Sequence, residues 1–117
     1  MATQELSAPS TITAETVKEV IEQQIQENDL LIYMKGNATI PQCGFSAQVI
    51  EIFNRLEANY TTFNVLENPL IRAGIKEYSN WPTIPQVYYK QEFLGGCDIM
   101  MELYESGELD TVLSAQK

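Results

Sequence analysis

The sequence predicts an α/β domain, a four-stranded mixed sheet flanked by helices, on three observations. Leu30–Met34 is a short, nearly all-apolar run of strand character, and residues 61–65 read as a second short strand. Between them, Val49, Ile50, Phe53 and Leu56 recur at helical spacing, which makes a βαβ unit with parallel strands and a right-handed crossover. Two further strand-like runs, Gln86–Tyr89 and residues 92–94, are separated by only two residues and read as a hairpin.

Taken in order, residues 1–12 are polar, lack periodicity and read as a flexible N-terminal tail before one domain over 13–117. Thr13 is placed to N-cap a helix whose apolar face is Val17, Val20, Ile21 and Ile25, with Ile12 and Val17 spaced for a hydrophobic staple. A loop over 35–42 leads from the first strand into the helix that starts near Cys43. Asn68 and Pro69 have the chemistry of an N-cap and first helical residue, and the helix they open runs to about residue 78. Trp81-Pro82-Thr83-Ile84-Pro85 breaks that pattern. The hairpin turn at Lys90-Gln91 lacks the Gly or Asn that a two-residue connection favours, which argues for a longer or strained turn. Asp98 is then a good N-cap for a helix ending at Gly107, and Leu109, Val112 and Leu113 form a last short helix.

With 117 residues, 44% of them apolar, the chain supports one core without disulfide staples. Two cysteines make no secreted framework, and no stretch has the length or apolarity of a signal peptide or membrane helix, so a reducing, cytoplasmic setting is expected. Sixteen acidic against seven basic residues give a formal charge of −9, which disfavours nucleic acid as a partner. Histidine is absent, so the commonest general base and zinc ligand are missing. Two thiols cannot complete a four-ligand soft-metal site unless carboxylates, an external thiol or a second chain contribute.

Cys43 is the chemical focus. At a helix start, unpaired N–H groups and the helix dipole favour thiolate over thiol, and a thiolate attacks sulfur or binds a soft metal. Ser46 stands where a C-x-x-C motif would carry its second cysteine, which excludes a dithiol mechanism through this motif. The alternative is a buried, inert cysteine at a strand-to-helix junction. Lys35, Arg72, Lys76, the Thr83-Ile84-Pro85 turn and Gly96-Cys97-Asp98 could all converge on it. In so acidic a chain, the grouped cations suggest a small anionic ligand, against the alternative of a solvated charged helix face. The turn could hold a cis proline and present the Ile84 backbone to an extended peptide-like ligand. Gly96-Cys97-Asp98 offers backbone donors for a carboxylate and, in Asp98, a partner for an ammonium group.

Met34-Lys35-Gly36, the Cys43-Gly44-Phe45-Ser46 core with Pro41 before it, Ile71-Arg72, the run from Tyr78 to Gln86 and Gly95-Gly96-Cys97-Asp98-Ile99 together closely resemble the single-domain monothiol (CGFS-type) glutaredoxins, a thioredoxin-fold family. The match extends over about residues 13–113. The resemblance implies a thioredoxin-like fold, glutathione as the ligand, and a 2Fe-2S cluster held at a homodimer interface by two Cys43 sulfurs and two glutathione sulfurs. It implies that Lys35 and Arg72 bind the glutathione carboxylates, that Ile84 pairs its backbone with the cysteinyl unit, and that Cys97 and Asp98 hold the γ-glutamyl end. It implies apo iron-sulfur acceptor proteins and a BolA-like protein as partners, with neither nucleic acid nor membrane. Two functions compete on this site: a carrier that transfers the cluster, and a glutathione-dependent monothiol oxidoreductase with Cys43 as nucleophile. An adaptor reporting iron status is a third.

Overall fold

The computed structural model describes residues 3–114. Its elements are β1 (Thr3–Leu6), α1 (Val17–Glu27), β2 (Leu30–Met34), α2 (Gly44–Arg55), β3 (Tyr60–Asn64), α3 (Pro69–Ser79), β4 (Gln86–Tyr89), β5 (Glu92–Gly95), α4 (Cys97–Ser106) and α5 (Glu108–Ser114), with a single 3-10 turn over Val65–Glu67. The strands form one mixed sheet in the order β1-β3-β2-β4-β5. β1, β3 and β2 run parallel, and β4 and β5 are antiparallel additions.

β2 is buried along its whole length, so its alternating side chains feed two cores. Leu30, Ile32 and Met34 join Val49, Ile50 and Phe53 of α2, with Met100 of α4 and Leu109 of α5. Leu31 and Tyr33 join Ile21 and Ile25 of α1, with Ile71 and Ile75 of α3, on the other face. The result is a three-layer sandwich whose parallel centre ends beside the start of α2. Such sheet ends, outside the carboxyl edge of parallel strands, are where open α/β folds bind ligands.

Three sequence expectations are corrected. The sheet has five strands, because Thr3–Leu6 pairs with β3 in the register Thr3↔Tyr60 to Leu6↔Phe63 and is not a frayed tail. Three of its four residues are exposed, so it leaves no apolar signature; only Leu6, with Ala8 and Ile12, packs on the core. The first two and last three residues of the expected tail and domain lie outside the described residues. α1 begins at Val17 with Thr16 as its N-cap, while Thr13 closes the turn before it: its carbonyl accepts from Val17 N–H at 2.9 Å and its own N–H donates to Thr16 Oγ1 at 3.0 Å. α4 begins one residue before Asp98, with Gly96 as N-cap, since the Gly96 carbonyl already accepts from Met100 N–H at 3.0 Å.

The Lys90-Gln91 turn stays two residues long, with both at positive φ, 50° and 71°, as type I′ geometry requires. Lys90 is anchored twice to Asp29, by N–H to carbonyl at 2.7 Å and by ammonium to carboxylate at 3.1 Å. Asn68 caps α3 by accepting from Leu70 and Ile71 N–H, with Pro69 at the first helical position. No helix among the described residues is long and apolar enough to cross a membrane.

Candidate functional site

The site is built where β2 hands over to α2. Gly36, at φ +84°, turns the chain so that Gln42 N–H donates to the Lys35 carbonyl at 2.8 Å and Gly36 bridges to Pro41. A Cβ at Gly36 would lie 2.5 Å from the Ile40 carbonyl oxygen, so only glycine fits. Asn64, at the end of β3, accepts from Gly36 N–H at 2.9 Å, and Asn37 accepts from Thr39 and Ile40 N–H at 3.0 and 2.7 Å. The loop is thereby a fixed arch over the strand ends.

Cys43 is the N-cap of α2, in extended conformation and partly exposed. Its thiol is held below the ordinary range chiefly by the Ser46 backbone N–H. Desolvation, the next-largest influence, opposes this, while the Phe45 N–H, the Lys35 ammonium and the Ser46 hydroxyl add to the lowering. Ser46 has a second duty. Its side chain is fully buried, and its Oγ accepts from Lys35 N–H at 3.1 Å, tying the end of β2 to the first turn of α2. The position of a second cysteine in a dithiol motif is thus occupied by a hydroxyl engaged in the site's own frame.

Cys43 opens into a cavity of about 430 Å³. Lys35, Phe45, Lys76 of α3, the 81–85 turn and, adjoining that turn, Gly96, Cys97 and Asp98 line it. The structure therefore brings Lys35, Cys43, Ile84, Cys97 and Asp98 together. Arg72 lies one helical turn before Lys76 and is half-buried, outside the cavity lining. Arg55 and Lys90 are paired with Glu51 and Asp29, whereas Lys35, Arg72 and Lys76 form no ion pair among the described residues. The Ile84–Pro85 peptide is cis, the isomer that the sequence left open. Neither the N–H nor the C=O of Ile84 takes part in a hydrogen bond among the described residues, so both remain for a ligand.

Cys97 differs from Cys43 in exposure and in the direction its thiol is driven. It is 7% exposed, and burial first, then the charges of Asp98 and Cys43, push its thiol up. Its S–H donates to Gln48 Oε1 at 3.1 Å, and Met101 Sδ lies 3.9 Å away. No group of three or more His, Cys, Asp or Glu among the described residues could hold a metal ion. Of the two thiols, Cys43 is the more exposed.

Sequence reasoning did not assign Phe45, Trp81 or Gln86 to the site. Phe45 is 59% exposed beside the thiol, an unusual place for a large aromatic ring, and that pairing in the sequence was its only signal. Trp81 packs edge-on against Phe93 at 5.7 Å while lining the cavity.

The comparisons with known proteins agree with this architecture. A family model described as Glutaredoxin matches residues 30–94, from β2 nearly to the end of β5, and includes Cys43. An uncharacterized monothiol glutaredoxin of Synechocystis sp. is 54% identical over 93 residues, covering 80% of this chain and 87% of that protein. Glutaredoxin 4 of Escherichia coli is 44% identical over 98 residues, covering 84% and 85%. The solution structure of reduced poplar apo GrxS14 superposes with a TM-score of 0.74 at 44% identity, covering 85% of this chain and 91% of that one. With a matching family model, relatives aligned over most of both chains, and a lone activated thiol at the start of α2, the chain belongs to the glutaredoxin family, among its monothiol members.

Proposed function

We propose that the protein carries and transfers a 2Fe-2S cluster, held between two copies of the chain by their Cys43 thiolates and by the thiols of two bound glutathione molecules. The observation that supports this most is the asymmetry of the two cysteines: Cys43 is accessible and favours thiolate, while Cys97 is buried and favours the thiol. Four sulfurs are needed for two irons, and one chain supplies one. Glutathione has the matching groups. Its carboxylates suit Lys35 with Arg72 or Lys76, its cysteinyl main chain suits the free Ile84 peptide groups, and its γ-glutamyl end suits the helix start at Cys97 and the carboxylate of Asp98. A cluster anchored half by an exchangeable small thiol is released by loss of glutathione and separation of the subunits, which is the behaviour of cargo. Its recipients would be apo iron-sulfur proteins, and a BolA-like protein could replace one subunit.

The lowered Cys43 pKa also favours a second reading, protein deglutathionylation. The thiolate would attack the glutathionyl sulfur of a protein mixed disulfide and expel the protein thiolate. A second glutathione thiolate would then attack the Cys43-bound mixed disulfide, expelling the Cys43 thiolate and leaving glutathione disulfide. Ser46 cannot perform that second attack, so the cycle waits on external glutathione. The two readings separate in one comparison: the loaded dimer should donate its cluster to an apo-ferredoxin faster than free iron and sulfide rebuild one, while the apo-monomer turns over a glutathionylated protein slowly. Rapid turnover combined with no cluster donation would reverse the order.

A further inference from the structure

We propose that Gln86 is the positioning residue of the ligand cavity, fixing from beneath the 81–85 turn that offers the Ile84 peptide to glutathione; this rests on the glutathione reading above. Gln86 opens β4 and is 0% exposed. A buried amide is costly unless each polar atom is partnered, and here each one is. Its Nε2 donates to the Trp81 carbonyl at 3.0 Å and to the Thr83 carbonyl at 3.3 Å, and its Oε1 accepts from the Tyr88 hydroxyl at 3.4 Å.

One nitrogen thus pins two carbonyls of the turn inward. These bonds fix the carbonyls on either side of Pro82, the second of them immediately before Ile84, which lines the cavity with main-chain groups unpaired among the described residues. The turn is braced from the opposite side as well. A Cβ at Gly96 would lie 3.1 Å from Trp81 Nε1 and 3.2 Å from the Pro85 carbonyl oxygen, so the glycine lets the start of α4 close against the turn. Trp81 Nε1 is buried there with no hydrogen-bond partner among the described residues. Gln86 touches no ligand atom in this account. It sets the spacing between the turn and the Gly96–Cys97 wall.

The test compares wild type, Gln86→Met and Gln86→Glu by calorimetric titration with glutathione, together with the emission of Trp81, the chain's one tryptophan. Gln86→Met keeps the length and removes both donor protons. It should weaken glutathione about tenfold and shift Trp81 emission, while the pH profile of Cys43 alkylation stays unchanged, because the groups acting on Cys43 are Phe45, Ser46 and Lys35. In Gln86→Glu the protonated acid can donate to one carbonyl, so its deficit relative to wild type should narrow as pH falls. Wild-type affinity in Gln86→Met would overturn the proposal. Should that variant fail to fold, the wild-type side-chain amide decides by NMR: slow proton exchange and a shift on adding glutathione support the role, and an unshifted resonance overturns it. If wild type itself does not bind glutathione, the functional reading fails, and an unchanged Trp81 emission in Gln86→Met then overturns the positioning role separately.

Discussion

Cys43 and Cys97 both stand at the start of a helix and both border one cavity, yet the structure drives their thiols in opposite directions. Cys43 is the N-cap, so its thiol sits where the Ser46 and Phe45 N–H groups of the first turn favour the thiolate, with Lys35 nearby and solvent at hand. Cys97 is already inside its helix, one residue past the Gly96 cap, buried, and next to the carboxylate of Asp98. A helix start alone therefore does not activate a thiol. Activation requires the cap position, open access and the absence of a neighbouring anion.

The largest expected effect is on cluster binding. Cys43→Ser should abolish both the cluster absorption and the dimer, while Cys97→Ser retains them; the reverse pattern would exchange the roles of the two sulfurs. Next come the cavity cations. Lys35→Ala and Lys76→Ala should each lose a charge-assisted contact and weaken glutathione by about 1.5–3 kcal/mol, or roughly 10- to 150-fold. Arg72→Ala, outside the lining, should cost less; an equal or larger loss by titration would restore Arg72 to the first rank.

Smaller effects concern the thiols' titration. With a lowered pKa, Cys43 should alkylate through its thiolate from a lower pH than a free cysteine, whereas the raised Cys97 pKa delays its reaction to higher pH. Site-resolved mass spectrometry over a pH series measures both, and coincident profiles would remove the contrast. Lys35→Met should move the Cys43 profile upward only modestly, since the Ser46 and Phe45 N–H groups remain. Asp98→Asn should make the smallest change, a slight lowering for Cys97, because burial is the first cause of its raised value and persists.

The βαβ centre was legible in the sequence because burial on both faces of β2 demands a continuous apolar run, and α2 shows its buried side at helical spacing. Cys43 was legible because chain order alone puts it between them. β1 was not, since an edge strand exposed at three of four positions is specified by backbone pairing to β3 and one leucine. The Lys90-Gln91 turn defied its residue types because Asp29, distant in sequence, holds it. Arg72 and Lys76 share a helix one turn apart, and their spacing alone does not tell that Lys76 is the one that lines the cavity. Gln86 was invisible as a site residue: its role depends on which carbonyls fold over it, and no spacing rule records that.

Anaerobic reconstitution with iron and sulfide, run with and without glutathione and followed by absorption spectroscopy and sizing, tests the central claim most directly. The account expects a coloured dimer only when glutathione is present, containing two glutathiones per cluster, and its collapse to colourless monomer when glutathione is removed. A cluster that forms equally well without glutathione, or on a monomer, would contradict it.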